Sequence, residues 1–185
     1  EDLHQQQSVR AVILTGSGPV FSAGTDLVEL EETRSDADCD LQWQADAVCF
    51  QEVLLMMLRF PKPIIAALNG PARGTAAGLV LACDMVIAAE SASLGFPEVK
   101  LGLIPGYGGT QRLPRLIGQA RALDMILTGR TVDAEEAERI GLVNRIVEGE
   151  MIEAGLEFAK RFTIYSLPIL AMAREAVLRS HDNPI

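Results

Sequence analysis

Three short runs in this sequence, VRAVILTG (9–16), PIIAALNG (63–70) and MVIAAE (85–90), are apolar at nearly every position and rich in β-branched residues. A strand with one wet face alternates apolar and polar residues, whereas a run without alternation has both faces covered. Stretches of helical length separate the runs. Continuous strands alternating with helices predict an α/β protein with a sheet buried on both sides. A further strand is expected at VNRIV (143–147), and a short strand and loop at SLGFPEVKLGL (93–103). With 185 residues, 49% of them hydrophobic, residues 1–185 suffice for a single domain with its own core.

The segment LQWQADAVCFQEVLLMMLRF (41–60) has helical length, and its second half is apolar on nearly every side. It predicts a deeply buried helix, stopped by Pro61 and Pro63, with Met56 and Met57 as core and Trp43 packing. Helices are also expected over 75–82, 110–118, 118–129 and 133–142, the last with Asp133 as cap and Glu136 at the capping-box position. The tail 150–180 reads as one long helix or two, broken near Pro168. ETRSDADCD (32–40) reads as a mobile surface segment.

Composition excludes several function classes. A net charge of −9 without a basic stripe argues against nucleic-acid partners. The longest apolar run, GLVLACDMVIAA, is short and carries Asp84, so no membrane span is expected. Cys39, Cys49 and Cys83 are odd in number and form no CxxC pair. They read as buried free thiols in a reducing compartment, the cytoplasm or an organelle matrix. His4 and His181 lie near opposite ends and no HExxH occurs, so no metal site built by the protein is expected. A serine hydrolase on an α/β sheet would need a GxSxG elbow and a central histidine, and the sequence offers neither.

Chemistry concentrates in LNGPARGTAAGL (68–79), read as strand, turn and helix. A helix start leaves backbone N–H groups without internal partners, and its dipole is positive there. The small residues at 74–77 let a ligand approach that bare backbone. FSAGTDL (21–27) is a second glycine corner after a strand. Two such corners can each lend one N–H to a single oxygen, an oxyanion hole worth ~3–4 kcal/mol of barrier per donor. Spacing alone is also met, and more simply, by two ordinary strand–loop–helix turns.

In this order, FSAGTDL, PKPIIAALNGPARGTAAGLVLACDMVIAA, FPEVKLGLIPGYGGTQRLPRLIG and TGRTVDAEEAERIGLVNRIV resemble the crotonase superfamily, which includes the enoyl-CoA hydratases and isomerases. The resemblance runs from about Val9 to Arg179. It implies a crotonase-like spiral of ββα units. It also implies an earlier strand pair and closing helices that this sequence does not display, so the chain is expected to be part of a longer one. The implied substrate is an acyl-CoA thioester, with coenzyme A as part of the substrate and no separate cofactor. The implied assembly is a homotrimer or a pair of trimers.

Carried over residue by residue, the oxyanion N–H groups belong to Thr25 and Thr75, with Ala23, Gly24, Asp26 and Gly74 around them. Of the two glutamates used by hydratases of the family, one corresponds to Glu98. The other falls on Gly78, one helical turn after Thr75. A lone carboxylate suits double-bond isomerisation; hydration also needs an oriented water and a proton donor. Catalysis by Glu98 requires a raised pKa, which Leu94, Phe96 and Leu103 would supply by desolvation. A mid-helix glycine costs ~1 kcal/mol against alanine. Gly78 therefore marks a pocket widened for a bulky acyl group, a close helix–strand contact, or a degraded site in a non-catalytic thioester-binding relative. Asp84 is placed on the same helix, two turns away. Glu29, Glu32 and Asp36 are candidates for a substitute carboxylate. Arg73 meets a CoA phosphate or an acidic acyl group, or is a solvated arginine; Lys62 and Lys100 are either contacts for CoA phosphates or ordinary surface charges. Tyr107 donates to a bound acyl group or closes the pocket, and Gly109 supports the acid/base loop.

Overall fold

The computed structural model describes residues 2–33 and 39–180. In chain order the elements are α1 (Asp2–Gln5), β1 (Val12–Thr15), α2 (Leu27–Thr33), α3 (Cys39–Arg59), β2 (Ile64–Leu68), β3 (Ala72–Arg73), α4 (Thr75–Ala82), β4 (Met85–Ala88) and β5 (Ser93–Gly95). After a 3₁₀ turn at Pro97–Leu101 come α5 (Gly109–Ile117), α6 (Gln119–Thr128), β6 (Thr131–Asp133), α7 (Ala134–Arg139), β7 (Arg145–Ile146), α8 (Met151–Thr163) and α9 (Leu167–Leu178).

A parallel sheet runs in the order β1–β2–β4–β7, and a smaller mixed sheet in the order β3–β5–β6, with β6 antiparallel to β5. The chain winds between them: β2 then β3 and α4, β4 then β5 and the α5–α6 pair, β6 then α7 and β7. Each turn of this ββα spiral leaves one strand in each sheet. The winding accounts for the strand composition. In β2, Ala66 and Leu68 join the core built with α4, β5, α5, α6 and α7, while Ile65 and Ala67 join Ile87, Met151 and Ala159 on the opposite face under α8. Successive strand residues point to opposite faces. Both faces of β2 are dry, so all five of its residues are apolar and buried.

Several expectations are corrected. Helix α3 forms over the expected span, yet of its large side chains only Leu54 is buried, and Val48 and Met56 are more than half exposed. Met56 is therefore not core. An all-round apolar helix signals that something covers it, but one face alone meets this chain's own body. Cys49 is likewise exposed and Cys83 only half-buried, so neither is the fully buried thiol expected. Helix α4 ends at Ala82, so Asp84 is not on it. Asp84 accepts from the Ile64 N–H and pairs with Arg174, tying the start of β2 to α9.

The tail is two helices, with Pro168 in the first turn of α9, where its missing N–H costs nothing. Asp133 caps α7 by accepting from the Glu136 N–H at 2.8 Å. The Glu136 carboxylate pairs with Arg130 instead of closing the reciprocal box. The strand expected at 143–147 shrinks to Arg145–Ile146, and β3 and β6 had no expectation behind them. Most of the surface segment expected over 32–40, with Asp36, lies outside the described residues, as does His181. No helix among the described residues is long and apolar enough to cross a membrane.

Candidate active site

The two glycine corners foreseen in the sequence are zipped together by backbone. Phe21 and Ser22 N–H groups donate to the Pro71 carbonyl at 3.1 and 3.2 Å, and the Arg73 N–H donates to the Ser22 carbonyl at 3.2 Å. Asn69, at the end of β2, fixes the loop from behind. Its Oδ1 accepts from Gly16 N–H, and its Nδ2 donates to the Gly18 and Val20 carbonyls. The two corners also press together at Gly24, where φ is 94° and any Cβ would sit 2.7 Å from the Arg73 carbonyl oxygen. Only glycine fits there.

This register brings Thr25 and Thr75 together, and their hydroxyl oxygens lie 3.3 Å apart. Among the described residues neither threonine's backbone N–H donates to a protein acceptor. Gly74 opens α4 with φ 54°, another backbone state that favours glycine. A Cβ on Gly74 would lie 3.2 Å from Glu98 Oε1, so the Glu98 carboxylate sits directly against the start of α4.

Glu98 comes from the 3₁₀ turn after β5. Behind that turn Phe96 is buried, and Gly109 packs against the Phe96 ring, which a side chain at 109 would displace. Gly109 therefore packs closely behind the turn that carries Glu98. Glu98 Oε2 is buried and accepts no hydrogen bond among the described residues. Burial pushes the Glu98 carboxyl above the ordinary carboxylate range, against a smaller opposing pull from its own backbone N–H. Leu94 and Phe96 are fully buried as anticipated, but Leu103 is 55% exposed and forms no part of such a pocket.

Gly78 lies buried in α4, and no strand presses on it. A Cβ there would meet the Tyr107 carbonyl oxygen at 3.5 Å and Tyr107 Cβ at 3.6 Å, ordinary van der Waals distances. The close helix–strand contact is thus not the reason for this glycine. Tyr107 packs edge-on against Phe50 of α3. Ala23 is exposed on the first corner, and Asp26 caps α2 by accepting from Val28 N–H. Glu29 and Glu32 are exposed on α2.

Two basic candidates have structural partners. Lys62 is buried, with its ammonium donating to the Leu3 and Gln6 carbonyls at 2.5 and 2.7 Å. Arg73 donates to the Ala72 and Ser93 carbonyls and to Ser93 Oγ, bracing β3 on β5. Lys100 is exposed beside the Glu98 turn. Ser22, Asn69 and Phe50 escaped the sequence reading. Of these, only Asn69 gave a signal, as a polar residue closing an apolar strand.

A family model described as enoyl-CoA hydratase/isomerase matches residues 1–184. The chain belongs to the enoyl-CoA hydratase/isomerase family, within the crotonase superfamily. This family member is 43% identical over 175 residues to a probable enoyl-CoA hydratase of Rhizobium meliloti (strain 1021), an overlap of 94% of this chain and 65% of that protein. It is 41% identical over 183 residues to a probable mitochondrial enoyl-CoA hydratase of Dictyostelium discoideum, covering 96% of this chain and 62% of the relative. The chain thus spans a little under two thirds of the length of these curated relatives. The crystal structure of an enoyl-CoA hydratase from Bacillus anthracis superimposes with a TM-score of 0.90 at 39% identity, over 99% of this chain and 70% of its own. An enoyl-CoA hydratase from Polaromonas sp. JS666 gives 0.91 at 30% identity. The α/β fold of the family member is the crotonase fold anticipated from its motifs.

Proposed function

We propose that the chain carries the reaction centre of an acyl-CoA enzyme that moves a carbon–carbon double bond, with Glu98 as the acid/base. The observation that carries this reading is a partly desolvated carboxylate against the start of α4, the helix on which Gly78 occupies the place where the resemblance puts a second carboxylate. The thioester oxygen binds between the Thr25 and Thr75 N–H groups, which stabilise the negative charge it gains as an enolate. Glu98 removes a proton from the carbon next to the thioester carbonyl of a 3-enoyl-CoA. The electron pair moves into the conjugated system, and the 3,4 double bond shifts to 2,3. The same carboxyl returns the proton at the far carbon, so atoms and charge balance without a co-reactant. A raised carboxyl pKa suits a group that must both accept and release a proton near neutral pH. Coenzyme A enters as part of the substrate. A homotrimer or pair of trimers belongs to the same proposal; Ile104 and Leu127, 80 and 68% exposed, are the kind of surface that assembly would cover.

Hydration of a 2-enoyl-CoA is the second reading, favoured by the relatives described as hydratases. One experiment separates the two. The full protein is incubated with crotonyl-CoA and, separately, with a 3-enoyl-CoA, and the 2-enoyl thioester absorbance is followed. A gain from the second substrate marks isomerisation, and a loss from the first marks hydration. Glu98→Gln should lower whichever activity is found by about 10²–10⁴-fold. Thioester binding with neither signal would leave a non-catalytic binding protein.

A further inference from the structure

Among the described residues, Tyr107 is the non-glycine residue whose backbone lies in the left-handed region, at φ 50°. A bulky residue there is strained and persists where its surroundings hold it, a condition that clusters at ligand clamps. The surroundings are known on both sides. Towards the reaction centre, Tyr107 lies over Gly78, with its Cβ and carbonyl oxygen 3.6 and 3.5 Å from where a Gly78 Cβ would sit. Towards the surface, its ring meets Phe50 at a centroid distance of 4.5 Å and an angle of 64°. Beside the tyrosine is a pocket of about 320 Å³ against Ala47, Gln51, Leu54, Leu55 and Leu58 of α3. These positions share one helix face, and all but Gln51 are apolar. Arg112 also borders the pocket, with its guanidinium donating to the Leu81 carbonyl.

Tyr107 is therefore a partition between the place where a second carboxylate is missing and an apolar side pocket. We propose that Tyr107 sets the acyl-chain length this protein accepts, by closing the α3 pocket to the tail of the thioester. The proposal rests on the acyl-CoA reading above. A short tail ends against the tyrosine. A longer tail displaces the ring, which the flanking Gly106 and Gly108 permit, and enters the pocket along α3. The volume is at the lower end for small-molecule sites and suits an unbranched apolar chain.

The test measures calorimetric affinities of the full protein for butyryl-CoA and dodecanoyl-CoA, which bind without reacting. Tyr107→Gly removes the ring and suits the left-handed backbone. It should raise the dodecanoyl-to-butyryl affinity ratio by about tenfold. Ala47→Trp fills the pocket from the helix side and should lower the ratio by a similar factor. Tyr107→Phe should keep the wild-type ratio, since the role is steric. Ratios within about twofold of wild type for both Tyr107→Gly and Ala47→Trp would overturn the proposal while leaving the acyl-CoA reading intact. A wild-type protein that binds neither thioester would overturn that reading, and this proposal with it.

Discussion

Replacing Gly78 by alanine should stabilise this protein, and the size of the gain follows from its surroundings. Glycine in a helix interior is less favourable than alanine by ~1 kcal/mol, because its unfolded backbone has more freedom to lose. An added methyl usually costs something in a buried position, but here its nearest neighbours would be 3.5, 3.6 and 4.0 Å away, none tighter than normal contact. No strain offsets the helix term, so the net gain is about 1 kcal/mol, or a Tm rise of roughly 2–4 °C for a chain of this size. Thermal unfolding of the purified Gly78→Ala protein at neutral pH reads this directly. A lower Tm would refute the claim that a methyl group at Gly78 meets only ordinary contacts. Gly78→Glu extends the same logic to chemistry. It places a second carboxylate one helical turn past Thr75, and if that absence is what limits hydration, turnover of crotonyl-CoA should rise by about 10²-fold. A folded Gly78→Glu protein with no gain would show that the missing carboxylate is not the limit.

Glu98 and Arg174 give the remaining predictions. The folded-state pKa of Glu98 is raised by burial. Its contribution to stability is therefore fully present below the ordinary carboxylate pKa and is lost as pH rises through the raised folded value. Glu98→Gln should remove that fall from a stability–pH profile measured by denaturant unfolding, together with the carboxylate limb of the pH–rate profile. Arg174 spans α9, β4 and the end of α3, donating to Asp84 and to the Met57, Leu58 and Phe60 carbonyls. The Arg174 and Asp84 side chains are only 10 and 12% exposed, so Arg174→Leu leaves a carboxylate buried without its cation and should cost about 3–5 kcal/mol in urea unfolding. The more exposed Arg130–Asp124 pair should lose about 1 kcal/mol or less on Asp124→Asn, which leaves the Arg130–Glu136 pair in place, and equal losses would contradict the burial argument.

Local pattern made much of this protein legible before any coordinates. The unbroken apolar runs named β1, β2 and β4 because strands dry on both faces leave no room for alternation. Gly24 and Gly74 marked the corners because the chain there must adopt backbone states that side chains oppose. Asp133 announced the start of α7, since a cap acts within three residues of itself. Glu98 became prominent through the resemblance of its surrounding motif.

What stayed hidden depends on groups distant in sequence. Strands β3 and β6 have two and three residues, too few for a period, and are strands only because β5 lies between them. The apolarity of α3 was plain, but burial depends on what lies opposite, and this chain covers only one of its faces. Lys62 looks like any surface lysine until Leu3 and Gln6 fold back over it, and Asp84 like a stray charge until Arg174, 90 residues on, arrives beside it. Sequence determined which segments are strands, corners and candidate acid, because those properties are carried by a residue and its near neighbours. Tertiary structure alone decided that the two corners meet, that Glu98 faces the second of them, and that Tyr107 stands over Gly78. These are separations in space between segments that the chain reaches only by winding through both sheets.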